Sequence, residues 1–241
     1  MSSRPHGSGE NWLWGQHAVQ AALANPKRRL KRLVGTRNGL DRLPKKLGQA
    51  ELVEAGFIDT LLPRDAVHQG LAAQFDPLDM CTIEDVVAAG TARVAVLDQV
   101  SDPHNLGAII RSAAAFGFGA VILQTRNAPA ITGIVAKAAV GAVETVQECR
   151  VVNISRSLEV LADAGYHTVG LAGSGAAMIE QAVSGASKLA IVLGAEGPGL
   201  RPGVAKACAE LARIPIASEM ESLNVSNAAA IAFYEAQRAG L

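Results

Sequence analysis

From residue 93 onward, short continuous apolar runs alternate with longer stretches whose apolar residues recur every three or four positions. "RVAVLDQV", "AVILQ", "VQECRVV", "YHTVGLAG", "KLAIVLG" and "ARIPIA" read as strands. "NLGAIIRSAAAFG", "AITGIVAKAAVGA", "ISRSLEVLADAG", "MIEQAVSG", "GVAKACAEL" and "NVSNAAAIAFYEAQRAG" read as helices. Strands that are apolar on both faces belong to a parallel sheet covered by helices. The pattern therefore predicts an α/β domain over residues 93–241. Ligands in such folds sit beyond the carboxyl ends of the strands, so the residues that follow each strand are the ones to inspect.

Upstream the pattern is less regular. "GQHAVQAALANP" is helical up to Pro26, and "LKRLVGT" is a strand. "LDRLPKKLGQAELVEAG" reads as a helix broken at Pro44, and "VHQGLAAQF" follows it. Residues 1–75 are read as a small α/β domain. Residues 76–92, "DPLDMCTIEDVVAAGTA", are read as a linker with a short helix.

Composition narrows the class. Of 241 residues, 49% are hydrophobic and 18% charged, as in a well-cored globular chain. No apolar run reaches the ~20 residues that span a bilayer. The start, "MSSRPHGSGENW", lacks a secretory apolar stretch. Cys81, Cys149 and Cys208 have no metal or redox spacing, so reduced thiols and a cytoplasmic protein are expected. The neutral total hides a gradient. Residues 1–50 carry ten cations (Arg4, Lys27, Arg28, Arg29, Lys31, Arg32, Arg37, Arg42, Lys45, Lys46) against Glu10 and Asp41, a net +8, and the rest of the chain carries −8. Charge segregated in this way points to a polyanion meeting the N-terminal end.

Nucleotide signatures fail. "GFGAVI" has Ile122, and "GSGAAM" has Met178, where a dinucleotide fingerprint needs its third glycine. GxxxxGK[ST] does not occur. Three other strand ends are unusual. After "RVAVLD", Asp102 or Asn105 can cap a helix on which Arg111 sits near the first turn, against the helix dipole. After "KLAIVLG", residues 194–203 hold four glycines and two prolines around Glu196, with Gly194 and Gly197 able to offer backbone groups. After "ARIPIA", the last helix begins through Ser222, Asn224, Ser226 and Asn227, although one cap residue suffices. The surplus suits an uncharged polar ligand.

Three such loops in this order resemble the motifs of the SpoU (TrmH) family of RNA ribose 2′-O-methyltransferases, within the SPOUT superfamily. The first motif is similar to "NLGAIIRSAAAFG", the second to "IVLGAEGPGL" and the third to "RIPIASEMESLNVSNAAAIA". The opening "WGQHAVQAALANP" resembles the substrate-binding domain of members acting on large-subunit ribosomal RNA. The resemblance implies a deep trefoil knot in the C-terminal domain, a homodimer formed through that domain, and an N-terminal domain like a ribosomal-protein fold that docks RNA. It implies an S-adenosylmethionine pocket held by Gly194, Ile214, Leu223, Leu171, Ala172, Gly173, Gly197 and Pro215. Arg28, Arg29, Lys31, Arg32 and Arg37 would meet the RNA. Asn227 stands where many relatives carry an apolar residue.

The chemistry implied is methyl transfer to a ribose 2′-hydroxyl, most naturally of a guanosine in 23S rRNA, without a metal. Arg111 would bind the neighbouring phosphate and the 2′-oxygen. Asn105 would orient the ribose or Arg111, and Glu196 would hold Arg111 or bond within the pocket. Ser222 and Asn224 would align acceptor and cofactor. Rival readings are a transfer RNA methyltransferase and a non-catalytic assembly factor that binds rRNA.

Overall fold

A computed structural model describes residues 11–44, 49–217 and 220–240. Arg4, Glu10, Lys45 and Lys46 of the charge gradient, and Ser218 and Glu219 of the third motif, lie outside the described residues. The elements in order are β1 (Trp12–Trp14), α1 (Gln16–Ala24), β2 (Leu30–Gly35), α2 (Arg37–Asp41), β3 (Ala50–Leu52), α3 (Ala55–Leu61) and β4 (Leu71–Phe75). There follow α4 (Ile83–Ala88), β5 (Arg93–Leu97), α5 (Pro103–Ala115), β6 (Ala120–Gln124), α6 (Gly133–Ala138), β7 (Gln147–Val151) and α7 (Ile154–Asp163). The rest are β8 (His167–Leu171), β9 (Ala177–Met178), α8 (Ile179–Ala182), β10 (Leu189–Leu193), α9 (Pro202–Ala207), β11 (Glu210–Arg213) and α10 (Val225–Arg238).

The chain forms two compact units. One holds the residues up to Asp79 together with Ala130–Glu144, and the other holds Met80–Pro129 and Thr145 onward. The sequence pattern predicts a second domain unbroken from residue 93, with 76–92 as a linker. Side-chain packing groups these stretches differently. Cys81 forms a parallel bridge with Cys149, and Ile83 and Val86 are buried in the second unit's core. Residues 80–92 therefore belong to that unit. The capping box of Thr82 and Asp85 starts α4 there.

In the first unit the sheet order is β1-β4-β2-β3, antiparallel except for β2 with β3. The helical pattern expected over residues 40–56 gives way at Ala50–Leu52, which pair with Leu33–Gly35 as a strand. Trp12, Trp14, Val34, Ile58, Leu62 and Ala72 form its core, with Ile134 packed against them. Segment 130–144 is built into this unit. A Cβ on Gly133 would lie 1.9 Å from the Trp14 ring, and Lys137 Nζ donates to the Val67 carbonyl at 2.6 Å. Arg28 Nε and Nη2 donate to the Glu144 carboxylate at 2.9–3.2 Å, Arg28 Nη1 donates to the Asp76 carbonyl, and Asn25 Nδ2 donates to Glu144 Oε2 at 2.7 Å. The two charged side chains are 8% and 4% exposed. A desolvated pair is costly to break, because one charge is left buried without its partner. Glu144→Ala is expected to cost about 3–5 kcal/mol in urea unfolding. A loss below ~1 kcal/mol would show that water replaces the carboxylate.

In the second unit the sheet order is β7-β6-β5-β10-β8-β11-β9, with every pairing parallel. β5 and β10 are buried at every position because helices cover both faces. On one side α4, α7 and α9 supply Ile83, Val86, Ile154, Leu158, Leu161 and Val204 to the core. On the other side α5 packs against α10, with the Phe118 and Phe233 ring centroids 4.1 Å apart. The buried Arg93 guanidinium donates to the Phe116 carbonyl at 2.7 Å and to Gln237 Oε1. The register sets Leu97 beside Leu193 and Ala212 beside Leu171, so four strand ends lie side by side. The loops that follow these strands make the site.

The three cysteines are free. Burial pushes the Cys149 thiol up to about 12 and Cys208 up to about 11, and raises Cys81. All three are neutral thiols at physiological pH.

Candidate functional site: a cleft at the ends of four parallel strands

Asp102 caps α5, its Oδ1 accepting from the backbone N–H of His104 and Asn105, with Pro103 at the first helical position. Capping by Asp102 frees the Asn105 side chain. Its Nδ2 donates to Glu196 Oε1 at 3.0 Å, and its Oδ1 accepts from Asn224 Nδ2 at 3.1 Å. Asn224 Nδ2 also donates to Glu196 Oε1, so both hydrogens of that amide are used. Its Oδ1 meanwhile caps α10, accepting from Ser226 N, Ser226 Oγ and Asn227 N. One asparagine thus starts a helix and joins three loops. Asn105 and Glu196 are 91 positions apart, and Asn105 and Asn224 are 119 apart.

Glu196 stands at the tip of a tight loop. Gly199 N–H donates to the Ala195 carbonyl at 3.0 Å, closing the loop as a small bridge, and Gly197 and Gly199 take positive φ of 80° and 69°. At its base, a Cβ on Gly194 would meet the Gly199 carbonyl carbon at 2.1 Å. Only glycine lets the loop fold back there.

This loop walls a cavity of about 650 Å³. Its other walls are Leu171–Ser174 after β8, Leu211, Ala212, Ile214 and Ile216 at and beyond β11, and Glu221–Val225 leading into α10. Of the residues expected at a site, Gly194, Glu196, Gly197, Leu171, Ala172, Gly173, Ile214, Ser222, Leu223 and Asn224 line it. Asn105 joins it through Glu196 and Asn224. Pro215 is not in the lining, although Ile214 and Ile216 on either side of it are. Arg111 does not line the cavity either. It is exposed on α5, six residues or about 9 Å of helix beyond Asn105. Glu196, expected to hold Arg111 or to bond within the pocket, accepts from the two asparagine amides, and Arg111 bonds to no described residue.

Reading the sequence missed Leu193, Leu200, Leu211 and Glu221 in the lining. Leu193 ends β10 and Leu211 lies within β11, and their place follows from strand order, which periodicity does not encode. Among the described residues no group of three or more His, Cys, Asp or Glu is placed to hold a metal ion.

The basic residues of the first unit divide. Arg28 is committed to Glu144 and turned inward, so it is removed from the expected RNA-facing set. Lys31 pairs with Asp76, and Arg32 pairs with Glu51 while lying 5.6 Å over the Phe57 ring. The Glu51 hydrogen bond raises the Arg32 pKa, and the same bond lowers that of Glu51. Arg29 and Arg37 are exposed and have no acidic partner among the described residues.

Known proteins share this architecture. The chain is 38% identical to the Vibrio vulnificus 23S rRNA (guanosine-2′-O-)-methyltransferase RlmB over 94% of its length and 96% of that protein. The RlmB of Coxiella burnetii is 37% identical, with 94% of each chain covered. The AdoMet-bound rRNA methyltransferase from Sinorhizobium meliloti superposes with a TM-score of 0.80 at 26% identity, covering 95% of this chain and 87% of that one. Residues 92–234 match the SpoU rRNA Methylase family. Two of the three motif segments line the cleft, the first reaches it through Asn105, and the chain belongs to that family.

Proposed function

We propose that this protein transfers a methyl group from S-adenosylmethionine to the ribose 2′-hydroxyl of a guanosine in 23S rRNA. The observation that carries the reading is the union of Asn105, Glu196 and Asn224 at the rim of the cleft, in a chain 38% identical to a 23S rRNA (guanosine-2′-O-)-methyltransferase along nearly its whole length.

The cleft fits the cofactor. Its volume lies within the ordinary range for a small-molecule site. Leu171, Leu193, Leu200, Leu211, Ile214 and Leu223 offer apolar surface for an adenine ring and a methionine chain. The glycine loop and the turn at Leu171–Gly173 offer backbone amides and carbonyls, and Glu196 and Glu221 offer negative charge to a cationic ligand. When bound, the cofactor supplies a methyl group on a positively charged sulfur that leaves as a neutral thioether.

The chain's own residues then address the weak nucleophile. Asn105, held from two sides, and Ser222 fix the position of the acceptor ribose. Arg111, with no described partner, is available to a backbone phosphate and to the 2′-oxygen as it gains charge. A guanidinium stays protonated at neutral pH, so it acts as an electrostatic stabiliser. As the C–O bond forms and the C–S bond breaks, the hydroxyl proton leaves to solvent or to a phosphate oxygen.

The same reading includes a homodimer. It forms through the outer faces of α5 and α10, where Tyr234 is 50% and Ile231 37% exposed, and Ala114 and Ala115 also reach solvent. Asn227 lies on that outer side of α10. The reading also includes a trefoil knot, in which the chain beyond β10 threads back through the loops of the second unit. The position of β10 between β5 and β8, with β11 outside them, supports it.

The first unit docks RNA. Arg29→Glu together with Arg37→Glu is expected to weaken RNA binding and to reduce the slope of log K against log salt by roughly 1.5–2, one phosphate contact being lost per residue. Fluorescence anisotropy over a KCl series measures it, and an unaltered slope would place the RNA on another surface. The activity itself is tested by mapping ribose methylation of 23S rRNA and tRNA from a deletion strain after incubation with the protein and S-adenosylmethionine. A new 2′-O-methylguanosine in 23S rRNA is expected. Methylation confined to tRNA, or binding without methylation, would refute the assignment.

A further inference from the structure

Asp98 is the first residue beyond β5, and its backbone N–H donates to the Leu193 carbonyl at 2.8 Å, extending the pairing with β10. Its side chain is fully buried. Both carboxylate oxygens are taken by one residue 103 positions later. Arg201 N–H donates to Oδ2 at 3.0 Å, and Arg201 Nε and Nη2 donate to Oδ1 at 2.8 and 2.6 Å. Arg201 lies where the glycine loop ends and α9 begins. The loop from Gly194 to Leu200 therefore leaves the sheet beside Asp98 and returns to the same carboxylate. Its tip is held separately, by Glu196 with Asn105 and Asn224. Neither Asp98 nor Arg201 lines the cavity, although Leu193, whose carbonyl accepts from Asp98 N–H, and Leu200, which precedes Arg201, do.

A buried carboxylate is expensive, and an apolar pair of similar volume often serves stability as well or better. What an apolar pair does not supply is a two-oxygen, three-donor junction that fixes one backbone N–H and one guanidinium plane in register. We propose that Asp98 and Arg201 are positioning residues for the cofactor loop. Their junction closes the loop on itself, and so sets S-adenosylmethionine affinity from outside the pocket. This rests on the reading of the cleft as the cofactor site.

The test uses the full chain, with titration calorimetry against S-adenosylmethionine and amide hydrogen exchange of the ligand-free protein. Arg201→Ala is expected to raise the dissociation constant roughly tenfold and to speed exchange at Gly197, Gly199 and Leu200. The urea midpoint should fall as well, because Asp98 is fully buried and loses its charged partner, so exchange at the loop amides relative to amides of the sheet core is the deciding readout. Arg201→Lys keeps the charge without the fork and should fall between. Asp98→Asn should match Arg201→Ala, and the double variant should bind no more weakly than either single one, as expected of partners in a single junction.

Unchanged loop exchange, or dissociation constants within twofold of wild type, would overturn the proposal, as would a double variant whose losses simply add. Should Asp98→Asn fail to fold, the two Arg201 variants decide. Wild-type protein that takes up no S-adenosylmethionine would instead refute the cofactor site, and the exchange measurement would still report on the clamp.

Discussion

Arg111→Ala is expected to bind S-adenosylmethionine as wild type does and to transfer methyl groups at least ~10³-fold more slowly. The two halves of this result have separate causes. Arg111 is absent from the cavity lining, and no described residue depends on it for a hydrogen bond or ion pair. Removing it leaves the Asn105–Glu196–Asn224 junction and the glycine loop as they are. The transfer step differs. A ribose hydroxyl is barely ionised at neutral pH, so negative charge must build on its oxygen as the new bond forms. A single preorganised donor at such an oxygen is worth about 10²–10³ in rate, and loss of phosphate positioning adds to that. Arg111→Lys keeps a point charge but loses planar two-point contact, so it should retain part of the rate. Single-turnover transfer of labelled methyl groups, with calorimetry on the same samples, measures both quantities. Near wild-type transfer by Arg111→Ala would remove this residue from the chemistry.

Much of this site could be read from the chain because its motifs are local. The buried strands β5, β6 and β10 are continuous apolar runs, and Asn105, Glu196 and Asn224, which meet at the cleft, follow β5, β10 and β11 as parallel-sheet logic leads one to expect. The polar cluster before α10 also had local meaning. One of its members, Asn224, both caps the helix and holds Glu196 and Asn105. Long-range partnerships were not legible. "AITGIVAKAAVGA" announces a helix but does not say which core receives it, and its place in the first unit depends on Trp14 lying over Gly133 and on Glu144 meeting Arg28. Arg28 reads as one more cation in a basic run until its buried acid is seen 116 residues away. The strand Trp12–Trp14 is short, and its identity comes from pairing with Trp12↔Gln74 and Trp14↔Ala72 rather than from any period of its own. Glu196 was expected to have a choice of partners, and the choice was made by how three loops converge.

Gly194→Ala is expected to abolish measurable S-adenosylmethionine binding, a loss of 100-fold or more, equivalent to ~2.7 kcal/mol. The added methyl would lie 2.1 Å from the Gly199 carbonyl carbon, 2.3 Å from Leu200 N and 2.4 Å from the Gly199 oxygen. All three are backbone atoms, so no side chain can rotate away, and the loop itself must lift. Lifting it pulls Ala195 and Gly199 out of their bridge, moves Glu196 off the two asparagines, and displaces the Leu200 wall of the cavity. Overpacking of this kind costs about 1–3 kcal/mol of stability, which urea unfolding would register alongside the calorimetric loss. Gly197→Ala separates crowding from backbone strain. It has open space around its Cβ position but a φ of 80°, so it should cost about 1 kcal/mol and weaken binding far less. If Gly194→Ala bound the cofactor within a few-fold of wild type, the loop would not be the wall of the cofactor site. If Gly197→Ala were the more damaging of the two, conformational freedom at the tip, rather than close approach at the base, would govern the pocket.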